Sequence, residues 1–157
     1  MRRERGWVVP ARERGWAVPA IVLAAALALA ASGCGELSRG ELSRGVDALS
    51  GLAAQGGLIA GGVARDDTKA TYARVMAKTL GEEAEHEAEK LADAEPSPAV
   101  RDERHAAVRL AGEIAELFSE LQTFPGDERQ GAAVQRGMRE AGEEADALLA
   151  RVSGEEQ

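Results

Sequence analysis

Cysteine is nearly missing from this chain: there is one in 157 residues. That excludes an intramolecular disulfide framework and a cysteine-cluster zinc site. Aromatic residues make up only 3%, and neither of the two histidines has a base-like setting. Glu113, Glu116 and Glu120 can be read as paired acid–base carboxylates, but basic partners expected on both neighbouring helices favour a structural role. Positive charge is also short. Nineteen Lys and Arg face 27 Asp and Glu, a formal net charge of -8, so a nucleic-acid-binding surface is not expected. The length suits one domain with an appended segment rather than several domains. No Gly-x-Ser-x-Gly, phosphate loop, nucleotide fingerprint or His-Glu-x-x-His occurs, and the chain is not expected to be an enzyme.

What is present begins with a leader. Arg2, Arg3, Arg5, Arg12 and Arg14 outweigh Glu4 and Glu13 over residues 2–16, leaving +3. Fifteen uncharged residues, 17–31, follow, then Ser32, Gly33 and Cys34. A basic stretch, a short apolar stretch and small residues at a cleavage point form a secretory signal. The apolar run is short for a permanent span, which takes roughly 20 residues.

Ala31, Ser32, Gly33 and Cys34 resemble the lipobox of bacterial lipoprotein precursors, with alanine where leucine is usual. The resemblance implies that residues 1–33 are removed and that Cys34 carries a covalent diacylglycerol and acyl lipid (palmitate among the acyl chains), with no other cofactor. It implies a location at the cell membrane, lipid-anchored on the extracytoplasmic face. Residues 34–40 are then a lipidated tether and 41–157 the folded domain. Loss of the leader removes five basic and two acidic residues, so the remaining 14 and 25 give −11. Two tandem duplications, RERGWVVPA/RERGWAVPA and GELSR/GELSR, are too short to build a repeat architecture.

Beyond the leader the apolar residues are mostly Ala, Leu and Val at helical spacing. Val134, Met138, Ala141, Ala145, Leu148 and Val152 make one stripe. Val100, Ala107, Ile114 and Leu121 make another, with Leu110, Leu117 and Phe124 beside it. Tyr72, Ala73, Met76, Ala77, Leu80, Ala84 and Leu91 form a third, and Leu42, Val46, Leu49 and Ala53 a fourth. Ser97 with Pro98 predicts a helix start, and Asp127 with Gln130 a capping box after the Pro125-Gly126 break. Helices are therefore expected over 41–54, 66–93, 98–123 and 128–152. The expected fold is all-α, an up-down antiparallel helical bundle of three long helices plus a shorter N-terminal helix.

Charge layout refines that arrangement. A hairpin about Pro96 sets Lys78 by Glu113, and the acidic run 82–89 by Arg104 and Arg109. The next hairpin, about Gly126, sets Arg109 by Glu140 and Glu143. Residues 48–64 carry no charge and five glycines. They read as the end of the first helix plus a buried apolar turn, or as a segment that contacts a membrane or pairs with a helix through Gly57 and Gly61.

Two histidine motifs stand out. Glu83 with His86, and Asp102 with His105, have the i, i+3 spacing that puts carboxylate and imidazole on one helix face. They resemble a reduced ferritin-like metal pattern, and a hairpin about Pro96 sets the two histidines level. Density of glutamate around His86 makes a solvated charged face the leading expectation, with no metal bound. Function is thus expected to be that of a membrane-anchored cell-envelope lipoprotein, a non-enzymatic binding or scaffold module. Its partners are the membrane, through the lipid, and an envelope protein or a second copy of itself. The alternative is a metal-binding bundle using Glu83, His86, Asp102 and His105; a ligand carrier with an apolar cavity is a third.

Overall fold

A computed structural model describes residues 36–154. They form four helices: α1 (Arg39–Ala64), α2 (Ala70–Asp93), α3 (Arg101–Thr123) and α4 (Glu128–Gly154). A 3-10 turn, Pro98–Val100, precedes α3. Among the described residues there is no strand, only an isolated bridge between Leu37 and Pro96. The chain is all-α.

The N-terminal helix is not the short one. It has 26 residues, against 24 for α2 and 23 for α3. Its start lies at Ser38, where two tandem GELSR units meet and create a Ser-x-x-Glu sequence. The Glu41 amide donates to Ser38 Oγ at 3.3 Å, and the Ser38 amide donates to Glu41 Oε2 at 2.9 Å, a complete capping box. Leu37 is buried, with its amide donating to the Glu95 carbonyl at 2.7 Å. The body therefore begins inside the expected tether of residues 34–40.

The far end of α1 overturns the expectation of a buried turn within residues 48–64. The helix continues to Ala64 through glycines that are costly in an isolated helix. Here they include three packed closely, Gly56 on Met138 and Phe118, Gly61 on Gln135 and Gly62 on Thr68. Gly56, Gly61 and Gly62 are buried, and a Cβ at 56 would lie 3.0 Å from the Phe118 ring. Termination comes at residues 65–67. Asp66 is left-handed (φ 56), its amide donates to the Val63 carbonyl at 3.0 Å, and the Asp67 amide donates to that of Gly62 at 2.8 Å. These are the two bonds of a Schellman stop, with Asp in the usual place of glycine. That stop delays α2 from the expected residue 66 to Ala70.

The stripes define the core. Leu42, Val46, Leu49, Ala107, Leu110, Ile114, Phe118, Leu121, Val134, Met138 and Leu148 are fully or almost fully buried. Burying each Leu or Ile contributes about 1.5–3 kcal/mol. Tyr72 and Phe124, expected inside, are instead exposed, and Phe118 is the one core aromatic among the described residues. No polar side chain among them is buried.

Specific contacts relate the helices. Gly131 of α4 packs on Ala60 and Ala64 of α1, Gly56 lies by Met138, and Ser50 Oγ donates to Asp146 Oδ1 at 3.1 Å. Numbers rise along α1 as they fall along α4. Leu117 lies by Gly137, and Arg109 Nη2 donates to Glu144 Oε1 at 2.6 Å, which joins α3 to α4 close to the expected level. Between α2 and α3 the expected level is wrong. Gly81 packs on Phe118 and Arg104 reaches Leu91, which displaces the helices by a turn or more from a hairpin centred on Pro96. The cause is the 3-10 turn, which holds back the start of α3 to Arg101. Ser97 there has extended backbone but makes no side-chain cap.

Candidate functional site

Ala31, Ser32, Gly33 and Cys34 lie outside the described residues. The nearest described feature is the folded start at Leu37, three residues beyond Cys34. Three residues of extended chain reach at most about 11 Å. Glu41, four residues further on, has its carboxyl held below the ordinary carboxylate value by the hydrogen bonds it accepts from the Ser38 amide and hydroxyl.

The histidine motifs are not brought together. Glu83 and His86 border a groove between α1 and α2, whereas His105 and Asp102 are exposed near the start of α3. Among the described residues no group of three or more His, Cys, Asp or Glu is placed to hold a metal ion. The displaced α2–α3 level removes the premise that set His86 opposite His105.

Charges are also partnered differently from expectation. Arg104 Nε donates to the Leu91 carbonyl at 2.7 Å and its Nη2 to that of Ala92, so it caps the C-terminus of α2. Arg109 serves Glu113 at 3.2 Å and Glu144. Neither neutralises residues 82–89. Within that run Glu82 has Lys78 at 3.7 Å and Glu87 has Lys90 at 3.0 Å. Glu83, Glu85 and Glu89 make no ion pair among the described residues. Sequence reasoning missed this because it assigned each arginine to a carboxylate and left the carbonyls at the helix end out of account.

Surface concavities between the helices include the following three. The α1/α2 groove, of about 560 Å³, is lined by Ala48, Leu52 and Gln55 from α1 and by Thr79, Glu82, Glu83, His86 and Glu87 from α2. A smaller one between α3 and α4, about 350 Å³, carries Glu113, Glu116, Glu120, Glu140 and Glu144. The third, about 420 Å³, lies between α1 and α4 beside Leu58, which is 77% exposed. α1 is also the one described helix long and apolar enough to cross a membrane by length and composition, and half of its most apolar stretch is buried inside the fold. Comparison of the chain with protein-family models, with curated proteins and with solved structures gives no match.

Proposed function

We propose that the chain is the precursor of a bacterial cell-envelope lipoprotein. Residues 1–33 are its signal peptide, and Cys34 carries the lipid that anchors it to the extracytoplasmic face of a membrane. The four helices act as an up-down antiparallel bundle, and that bundle works as a non-enzymatic binding or scaffold module for an envelope protein or a second copy. The observation that carries this reading is the order Ala31, Ser32, Gly33, Cys34, followed within four residues by the buried Leu37 and the Ser38 cap. A lipid at Cys34 would hold the base of the bundle at the bilayer surface with almost no linker.

Expression of the full chain in a bacterium tests the anchor. The wild-type protein should enter the detergent phase, and its N-terminal peptide should begin at Cys34 with a mass raised by the lipid. Cys34→Ala should stay unprocessed and carry no lipid mass. Equal processing of the two would overturn the assignment. In-cell cross-linking through surface lysines tests the binding role: a specific cross-linked partner or homodimer supports it, and recovery of the monomer alone counts against it.

A further inference from the structure

We propose that the α1/α2 groove docks a cationic amphipathic helix of a partner protein. In it Ala48 and Leu52 receive the apolar side chains, and Glu82, Glu83 and Glu87 receive the basic ones. The proposal rests on the reading of the bundle as a binding module and names the chemistry of what the module takes.

The groove is two-faced. Its α1 wall contributes Ala48, Leu52 and Gln55, and no charged residue occurs in 48–64. Its α2 wall contributes three glutamates beside His86. Residues 48–64 of α1 therefore offer no charge to neutralise the α2 wall across the groove. The two arginines that the sequence offers to this run are engaged elsewhere, on the Leu91 and Ala92 carbonyls and on Glu113 and Glu144. A helix that keeps like charges a turn apart works against itself. Lys78 and Lys90 pair with Glu82 and Glu87, but five glutamates against two lysines over 78–90 leave surplus negative charge. Glu83 is unpaired beside a floor of half-buried Ala48 and the edge of buried Leu52.

The dimensions suit a helix. Residues 79–87 of α2 cover about 12 Å, roughly two turns. Val75 and Tyr72, 58% and 56% exposed, continue the Thr79 wall at helical spacing towards the other end. A nucleic acid or an anionic lipid surface is repelled by this wall, and a small hydrophilic cation would leave the floor of Ala48 and Leu52 unused. A helix with apolar residues along one face and Lys or Arg flanking them satisfies both walls, in the helix-in-groove mode.

The test measures binding of the full chain, in non-ionic detergent and at about 0.15 M salt, to an immobilised peptide of leucine and lysine patterned as an amphipathic helix. Glu82→Gln, Glu83→Gln and Glu87→Gln together should weaken binding about tenfold or more, because they remove charge contacts local to the groove. Glu113→Gln, Glu116→Gln and Glu140→Gln together change net charge equally and should weaken it less than about threefold, through the long-range field alone. Gln55→Lys, a single exposed change, should weaken binding as well. A lysine–glycine peptide of equal charge should bind poorly. Equal losses in the two triple variants, or equal binding of the two peptides, would overturn the proposal. If the peptide ignores the groove while in-cell cross-linking finds a partner elsewhere on the bundle, the groove assignment falls and the binding-module reading stands.

Discussion

Arg104 Nε lies 2.7 Å from the carbonyl oxygen of Leu91, so a side chain from the first turn of α3 closes the last turn of α2. The residue after α2, Ala94, is extended and provides no left-handed stop of the kind that ends α1. The terminal carbonyls of a helix need partners from outside it, and the guanidinium supplies two donors. Arg104→Ala should lower stability by about 1–2 kcal/mol, the lower part of the range for charged hydrogen bonds because the site is only half-buried. Arg104→Lys should recover less than half of that, since an ammonium lacks the planar fork. Urea unfolding midpoints measure both.

Two helical glycines should respond to alanine with opposite signs. A Cβ at Gly131 would lie 2.8 Å from the Ala64 amide nitrogen and 3.0 Å from the Ala60 carbonyl oxygen, backbone atoms that cannot turn aside. Gly131→Ala must push α4 away from α1, and a loss of about 1–3 kcal/mol follows from overpacking. Gly112 in α3 has nothing within 4 Å of that position. Gly112→Ala should therefore stabilise the protein by about 0.5–1 kcal/mol through helix propensity and a less flexible unfolded chain. Thermal melts of the two variants beside wild type decide the signs.

The Ser38–Glu41 cap should make the start of α1 sensitive to acid. Hydrogen bonds from Ser38 favour the ionised Glu41 carboxyl and lower its pKa in the folded state. The stabilisation is thus complete above the unfolded glutamate value and is lost as pH falls through the lower folded value. Glu41→Gln should lower stability near neutrality, where the wild type holds the full contribution, and converge with the wild type at low pH, which flattens this part of the acid limb. Ser38→Ala should cost about 1 kcal/mol at neutral pH. Denaturant unfolding across pH 2–7, with amide exchange at the first turn of α1, would show both effects. An acid limb unchanged by Glu41→Gln would contradict the first.

Much of the core was legible because helical spacing records burial directly. All six residues of the stripe from Val134 to Val152 are buried, as are Leu42, Val46, Leu49 and Ala53. Local chemistry was less legible where its readout depends on three dimensions. Glycine lowers helix propensity, and only the neighbouring Met138, Phe118 and Gln135 show why Gly56 and Gly61 sit inside a helix. Tyr72 lies one residue off the buried Ala73, on the outer flank of its stripe, and Phe124 falls just past the end of α3. Arg104 shows the limit for charges: sequence spacing offers an arginine to the nearest carboxylate, while geometry gave it to a backbone carbonyl. The groove's acidic wall likewise escapes Arg104 and Arg109, and only Lys78 and Lys90 of its own helix pair with Glu82 and Glu87.

The same displacement bears on the histidines. A hairpin centred on Pro96 would have set His86 level with His105, whereas the 3-10 turn at Pro98–Val100 shifts α3 along α2. His86 then borders the α1/α2 groove, and His105 is exposed away from it. A tight zinc site needs several ligands converging at about 2.0–2.3 Å from one ion. Zinc at a modest excess over protein should accordingly leave the melting temperature unchanged, and His86→Ala and His105→Ala should each melt as wild type does with or without the metal. A rise with zinc that disappears in both variants would mean that α2 and α3 slide back to the hairpin centred on Pro96, and would restore the Glu83, His86, Asp102 and His105 metal site.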